Sequence, residues 1–238
     1  MRTVALRGSL RSHLIRVTDV IQRHSAPPRL YLITPPVDGP ASFAGELEAA
    51  LGAADIAAVL LRLHEADERT LIERAKAMAA VVQRRDVALL LDGHTEIVAR
   101  AGADGSHVTG IETFAAALAV LKPERITGAG GLRSRHDAML AAETGADYVM
   151  FGEPPPPGVP EGAGRRSAFA AAQEQLEWWA ELVEVPCVGY AASLDDVAAL
   201  ARTGADFVAL GEWIWTKPHG AAVTVAAAAE ILADPVCR

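Results

Sequence analysis

A three-residue phrase recurs along this chain and constrains its fold more than any other feature. Gly-Ala-Asp occurs at 102–104, 145–147 and 204–206, each time after an alanine-rich stretch and before a short apolar run. A looser copy, Gly-Ala-Ala-Asp, occupies residues 52–55 and precedes the apolar residues 56–61. Glycine supplies the left-handed backbone conformation that ends a helix, and a short apolar run fits a buried strand. Repetition of helix, turn and buried strand is typical of a parallel α/β protein.

Eight such units can be placed along the 238 residues, which predicts an α/β fold of the (β/α)8 TIM-barrel type. A doubly wound open sheet is the alternative, but no Gly-x-Gly-x-x-Gly turn follows the first strand, which disfavours it. The predicted strands are 30–34, 56–62, 87–91, 105–108, 125–128, 148–151, 185–189 and 207–210. The predicted helices are 43–51, 71–84, 96–101, 113–121, 134–143, 168–183, 194–202 and 221–232.

The composition favours one barrel domain behind a short extension. With 51% hydrophobic residues the chain can bury one large core, which we place over residues 29–238. Residues 1–28 are interpreted as an N-terminal helical extension that ends at the Pro27-Pro28 breaker. Cys187 lies in an apolar run and is expected to be a small core residue.

Charge and hydropathy restrict the expected partners. The net charge of -8 argues against a general nucleic-acid or anionic-membrane binder. No apolar stretch reaches membrane-spanning length, and the arginine-bearing N-terminus lacks the apolar block of a signal peptide. We therefore expect a cytoplasmic protein with a small-molecule ligand.

Several segments match one known family in order and spacing. They are residues 31–34, 59–62, 91–92, 102–108, 145–152 and 204–209. With these segments the chain resembles the thiamine phosphate synthase and thiazole tautomerase family of (β/α)8 barrels, from residue 29 nearly to the C-terminus. The resemblance implies a transferase of thiamine biosynthesis. Such a synthase joins an aminopyrimidine diphosphate to a thiazole phosphate and releases pyrophosphate, with Mg2+ bridging the leaving group.

The resemblance implies that the residues at the end of the second strand bind the diphosphate of the substrate. Synthases of the family have Gln-Leu-Arg-Glu-Lys there, and this chain has Leu60-Leu61-Arg62-Leu63-His64. Arg62 and His64 are therefore expected to bind the substrate and to act in catalysis, with Arg62 suited to a bidentate phosphate contact. The other interpretation of Arg62 is a salt-bridged residue at the barrel rim.

The family's metal and phosphate positions are only partly kept. Its Asn-Asp pair corresponds to Asp92-Gly93, and Glu112 stands where the family has its second metal carboxylate. Both side chains are hard oxygen donors, so Asp92 and Glu112 are the expected Mg2+ ligands, with Asp92 also touching substrate. Substrate contacts are further expected at His107, Gly189 and Gly211.

Other positions depart from the phosphate-binding pattern. Ala191-Ala192 replaces the family's Gly-Gly after strand seven, and Glu212 follows strand eight, where a carboxylate would repel a phosphate. Trp213 and Trp215, just past that strand, are expected to wall the mouth of the pocket. Trp178 and Trp179 on a predicted helix are expected to pack in the core or to join subunits of a homo-oligomer.

Glu153 is the remaining catalytic candidate. The tautomerase branch has a catalytic histidine after Phe-Gly, where this chain has Glu153. A carboxylate in an apolar cup can act as a general acid or base once burial raises its pKa. Residues 153–166, with four consecutive prolines, form either a loop that covers substrate or a stiff proline turn. Three functions therefore stay open: a synthase, a tautomerase-like isomerase that uses Glu153, and a catalytically silent barrel that binds a thiamine precursor.

Overall fold

The computed structural model describes residues 27–154 and 165–234. In this part of the chain eight parallel strands follow one another around a closed barrel, and the last strand pairs with the first. The predicted barrel is confirmed, and the open sheet is wrong. The strands are β1 (Arg29–Ile33), β2 (Ile56–Leu61), β3 (Ala88–Asp92), β4 (Gly105–Thr109), β5 (Ile126–Gly130), β6 (Tyr148–Phe151), β7 (Cys187–Ala191) and β8 (Phe207–Leu210).

Eight helices alternate with the strands in the described residues. They are α1 (Pro40–Ala53), α2 (Glu68–Val82), α3 (Val98–Ala101), α4 (Ile111–Leu121), α5 (Arg135–Thr144), α6 (Arg165–Leu182), α7 (Leu194–Leu200) and α8 (Ala221–Ala233). Single 3-10 turns lie at Gln83–Arg85, Thr95–Ile97 and Glu212–Ile214. No helix in the described ranges is both long and apolar enough to cross a bilayer. The predicted extension before residue 27 and the tip of the proline segment, 155–164, lie outside the described residues.

Two of the three Gly-Ala-Asp glycines end helices as expected, Gly102 after α3 and Gly145 after α5, whereas Gly204 lies in the turn four residues beyond the end of α7 at Leu200. Gly102, Gly145 and Gly204 have φ angles of 71°, 112° and 79°, values that residues with a Cβ rarely adopt. The looser copy behaves differently, and the expectation for it was wrong. Gly52 lies inside α1, and the chain leaves that helix through an extended Ala54.

The aspartates of the repeat fix the register of neighbouring strands. Each carboxylate lies just before one strand and accepts a backbone N–H near the start of the strand before it. These bonds run to Asp104 from Leu89 at 2.8 Å, to Asp147 from Thr127 at 2.7 Å, and to Asp206 from Cys187 at 2.9 Å. A charge-assisted bond of this kind satisfies a backbone donor at the end of the ladder. The repeat therefore builds the amino-terminal end of the barrel.

Apolar side chains pack in two places, inside the barrel and between the barrel and its helices. The outer cluster includes Trp179, Phe114 and Cys187, all fully buried as a core position requires. The inner cluster contains Tyr31, Ile33, Ala58, Leu60, Ala88, Leu90, Tyr148, Met150, Val188, Tyr190 and Ala209. Side chains alternate between the two faces of a strand. The residue two positions after the last inward-facing residue of a strand therefore faces the carboxyl-terminal mouth of the barrel.

Candidate functional site at the barrel mouth

Four of the residues singled out from the sequence converge at the mouth. Arg62 follows the inward-facing Leu60 of β2 by two positions, and Asp92 follows Leu90 of β3 in the same way. His107 lies on β4 directly beside Asp92 in the sheet register. Glu153 comes just after β6, and the charges of Arg62 and Asp92 act on its pKa. The mouth thus gathers one guanidinium, two carboxyl groups and one imidazole.

Hydrogen bonds to two neighbouring residues hold Arg62 in a fixed position at the mouth. Arg62 is only 7% exposed to solvent, and its Nε donates a hydrogen bond to Asp92 Oδ2 at 3.1 Å. Its backbone N–H donates to Thr34 Oγ1 at 3.0 Å, which fixes the chain where β2 ends. Within the described residues Nη1 is buried and has no hydrogen-bond partner. A buried guanidinium donor without an acceptor is costly, so this geometry fits an anion that would complete it.

Glu153 lies in surroundings that favour its protonated form. Burial, the largest effect, raises the pKa of Glu153, and the charge of Asp92 raises it further. The Gly131 N–H, which donates to Oε1, and the Arg62 charge oppose that increase. A carboxyl group with these neighbours can donate a proton at the mouth and take it back.

His107 is a neutral imidazole inside the barrel. Burial lowers its pKa from 6.5 to about 4, with Asp92 raising and Arg62 lowering that value. Its Nδ1 lies 3.0 Å from the Tyr148 hydroxyl, which lies 2.9 Å from the Tyr31 hydroxyl. Burial also raises the pKa of both tyrosines well above the usual range.

Two glycines of β5 make room for these groups. A Cβ at Gly128 would collide with the ring of Tyr148. A Cβ at Gly130 would collide with Glu153 Oε1 and lie 2.6 Å from His107 Nε2. The carboxyl of Glu153 and Nε2 of His107 therefore flank the same point, and only a glycine leaves that point open.

The opposite side of the rim is built by β7, α7 and α8. A cleft of about 360 Å³ opens there, and Trp213 forms part of its wall. The Trp213 indole N–H donates to the Ala191 carbonyl at 2.8 Å, and Lys217 lies over its ring at 5.4 Å from the centroid. The N–H of Ala192 is already taken by Asp196 at 3.0 Å. The cleft is lined by Ala192, Ser193, Leu194, Asp195, Trp213, Lys217 and Thr224.

The family follows from comparison with known proteins. Residues 30–214 match the family model of thiamine monophosphate synthase. The thiamine-phosphate synthase of Rhodospirillum centenum is 40% identical over 200 residues, which cover 83% of this chain and 94% of the relative. That of Hyphomonas neptunium is 37% identical over 206 residues, covering 84% and 91%. This chain belongs to the thiamine monophosphate synthase family.

Solved structures agree with the fold of that family. The thiamine phosphate pyrophosphorylase of Pyrococcus furiosus superposes with a TM-score of 0.67 at 22% identity, covering 89% of this chain and 97% of the other. A 3-hexulose-6-phosphate synthase superposes with a TM-score of 0.64 at 15% identity, covering 86% and 100%. At these identities the likeness concerns the barrel alone. The geometry at the mouth of this barrel therefore indicates which of its residues can take part in chemistry.

The other predicted site residues lie away from the central cluster. His64 is exposed in the loop after β2, and Glu112 is exposed in the first turn of α4. A side chain at Gly189 would point outward, against Leu176 and Leu200 of the helix layer. Gly211 faces inward, where a Cβ would lie 2.7 Å from the ring of Tyr190. Their roles stay predictions.

Sequence reasoning missed three residues that contact or support the groups of the mouth. Tyr31 and Tyr148 read as ordinary apolar strand residues, and Gly130 reads as part of a turn. The one available signal is position, because Tyr148 immediately follows a Gly-Ala-Asp copy and so begins a strand. Residues 31 and 148 approach only when the barrel closes, which no linear pattern reveals.

Proposed function

We propose that this chain is a thiamine-phosphate synthase, a transferase that joins an aminopyrimidine diphosphate to a thiazole phosphate and releases pyrophosphate. The observation that carries the proposal is the buried Arg62 at the barrel mouth, which Asp92 orients and whose Nη1 has no hydrogen-bond partner in the part of the chain that the structure describes. A guanidinium with a free N–H suits the oxygens of a diphosphate. Family membership supports the same substrate class, small phosphate esters.

In the proposed reaction the bond between the pyrimidine methylene carbon and the diphosphate oxygen breaks. The electron pair leaves with pyrophosphate, and the ring nitrogen of the thiazole supplies the pair for the new C–N bond. Arg62 would stabilise the negative charge that builds up on the departing diphosphate. Burial raises the pKa of Glu153, and whenever its carboxyl is protonated it would offer that diphosphate an O–H donor instead of a further negative charge.

We propose that Mg2+ assists this reaction and that Asp92 holds it. No group of three or more potential metal ligands occurs among the described residues. Mg2+ fits such a site nonetheless, because it commonly takes one or two carboxylates and completes its shell with water and substrate phosphate oxygens. The ion would neutralise part of the diphosphate charge, which Arg62 alone, already paired with Asp92, cannot balance. Glu112 stays a proposed second ligand.

The remaining substrate contacts are proposed for the rim. His64 lies in the loop after β2 with Arg62, His107 lies on β4, and Gly211 directly follows β8. Gly189 lies in the middle of β7 with its Cβ direction toward the helix layer, so it would take part through its backbone alone. We further propose that the chain acts in the cytoplasm on free metabolites, because multiply charged phosphate esters do not cross a bilayer unaided. The net charge of -8 supports a small-molecule ligand over nucleic acid.

The decisive experiment incubates the full chain with both phosphorylated precursors and Mg2+ and measures thiamine phosphate by chromatography. We expect product, and we expect Arg62→Met to abolish it. The matched control is Arg29→Met. It also breaks an Arg–Asp ion pair, between Arg29 and Asp55 at 2.8 Å, but this pair lies at the amino-terminal end of the barrel. Arg29→Met should stay active once differences in stability are corrected for.

The other two functions become outcomes of the same experiment. A thermal shift with the pyrimidine diphosphate but no product, beside an active reference synthase, would support a silent binding barrel. Deuterium exchange into a thiazole substrate without condensation would support an isomerase that uses Glu153. The comparisons favour neither, since the relatives reported above are synthases.

A further inference from the structure

Three polar side chains from three separate strands form a hydrogen-bonded chain inside the barrel. The chain runs from Tyr31 of β1 to Tyr148 of β6 at 2.9 Å and on to His107 Nδ1 of β4 at 3.0 Å. The three residues are 2%, 6% and 3% exposed. The far side of the imidazole, Nε2, faces Glu153 and Gly130 at the mouth. These hydrogen bonds therefore connect the apolar interior of the barrel to the candidate site.

The direction of these hydrogen bonds follows from counting protons. Each tyrosine hydroxyl has one proton, and a neutral imidazole has one. If His107 donated from Nδ1, Tyr148 would donate to Tyr31, and the Tyr31 proton would need a further acceptor. Within the described residues the Tyr31 hydroxyl is hydrogen-bonded to Tyr148 alone. Leaving a buried donor unpaired is costly, so the opposite direction is favoured.

In that opposite direction both buried hydroxyl protons have an acceptor, and the one proton left over lies on the side of the imidazole that faces the mouth. Tyr31 donates to the Tyr148 oxygen, Tyr148 donates to His107 Nδ1, and the imidazole proton lies on Nε2. We propose that Tyr31 and Tyr148 are positioning residues that hold His107 in the tautomer protonated at Nε2. The Nε2–H group then donates into the mouth, toward an acceptor atom of a bound molecule beside Glu153. Only the use of that donor in catalysis rests on the proposed function.

Packing holds the rings in the required arrangement. The rings of His107 and Tyr148 stack at a centroid distance of 5.6 Å and an interplanar angle of 15°. The Tyr31 ring contacts Tyr148 edge-on at 5.9 Å. The missing side chain at Gly128 leaves the space that the Tyr148 ring fills. The hydroxyl chain is therefore part of a close-packed core, where each ring has one position.

The first experiment reads the tautomer directly. Long-range 1H–15N correlation spectra of the full chain with 15N-labelled histidine distinguish a protonated Nε2 from a protonated Nδ1, and His107→Gln identifies the signal. We expect the proton on Nε2 in the wild type near neutral pH and a mixture of tautomers in Tyr148→Phe. Tyr190→Phe removes a hydroxyl elsewhere in the barrel and should leave the His107 spectrum unchanged. A wild type protonated at Nδ1 overturns the proposal, even if Tyr148→Phe fails to fold.

The second experiment asks whether the donor serves the reaction. A glutamine amide N–H can take the place of Nε2–H, whereas the shorter asparagine reaches only the Nδ1 position. We expect His107→Gln to retain at least about tenfold more kcat/KM than His107→Asn. Equal losses would overturn the catalytic use of Nε2–H. An inactive wild type would reject the proposed function while the spectra still decide the tautomer.

Discussion

The pH dependence of folding stability tests the buried imidazole of His107. Its pKa falls from 6.5 to about 4 in the folded chain, because the barrel interior penalises the imidazolium ion. In the unfolded chain the ring regains an ordinary pKa of about 6.5. Between these two values the unfolded state binds more protons than the folded state, so acidification favours unfolding.

The size of the effect follows from the two pKa values. One pKa unit corresponds to about 1.4 kcal/mol, so the decrease from 6.5 to about 4 corresponds to about 3 kcal/mol of unfolding free energy. This contribution is present in full above about pH 6.5 and is lost as the pH falls toward about 4. Since domains are stable by only about 5–15 kcal/mol, the loss is large enough to measure.

Urea denaturation from about pH 7.5 to about pH 4.5 measures this contribution. The wild type is compared with His107→Gln, which cannot titrate, so that carboxylates common to both chains cancel in the difference. We expect the wild type to lose about 2–3 kcal/mol more than His107→Gln across this range. The matched control, His136→Gln, changes an exposed histidine and should follow the wild type. Parallel curves for wild type and His107→Gln would refute the reasoning.

Three further changes test the rest of the mouth by urea denaturation. Gly130→Ala places a Cβ against Glu153 and should lower the free energy of unfolding by about 1–3 kcal/mol. In the control Gly45→Ala, the added Cβ would have no neighbouring atom within 4 Å, so this variant should not be destabilised. Asp92→Asn leaves the buried Arg62 charge unpaired and should cost about 1–3 kcal/mol, which an unchanged unfolding midpoint would contradict. Glu153→Gln should gain stability relative to the wild type as the pH rises through the raised pKa of Glu153; curves that stay parallel would exclude a buried, protonated Glu153.

The sequence was sufficient to predict the barrel because its strands are buried, regularly spaced and introduced by a repeated phrase. All eight predicted strands lie within two residues of the observed ones. The largest differences fall in β5 and β7, which contain Gly128, Gly130 and Gly189. Propensity places glycine in turns, but here packing against Tyr148, Glu153 and the helix layer requires residues without side chains.

The candidate site could be predicted only where strand alternation still holds. Arg62 and Asp92 follow inward-facing residues of the same strands by two positions, so counting along the strand places them at the mouth. Arg62 directly follows the last paired residue of β2, whereas His64 and Glu112 lie three residues beyond the ends of β2 and β4, where the alternation no longer applies. The contact between Tyr31 and Tyr148 joins residues 117 positions apart. It depends on barrel closure, which a local pattern does not encode.

Different residues build the two ends of the barrel, so the carboxyl-terminal mouth can differ from the residues expected from the family resemblance without altering the amino-terminal end. Asp104, Asp147 and Asp206 bond backbone N–H groups at the amino-terminal end, so these register-setting contacts do not involve residues of the carboxyl-terminal mouth. At the start of α7, Asp196 already accepts the Ala192 N–H, which a phosphate would otherwise use. A phosphate there would have to displace a carboxylate. Within the described residues Nη1 of Arg62 has no partner to displace, and we therefore propose that the main anion contact lies on the β2 side of the mouth.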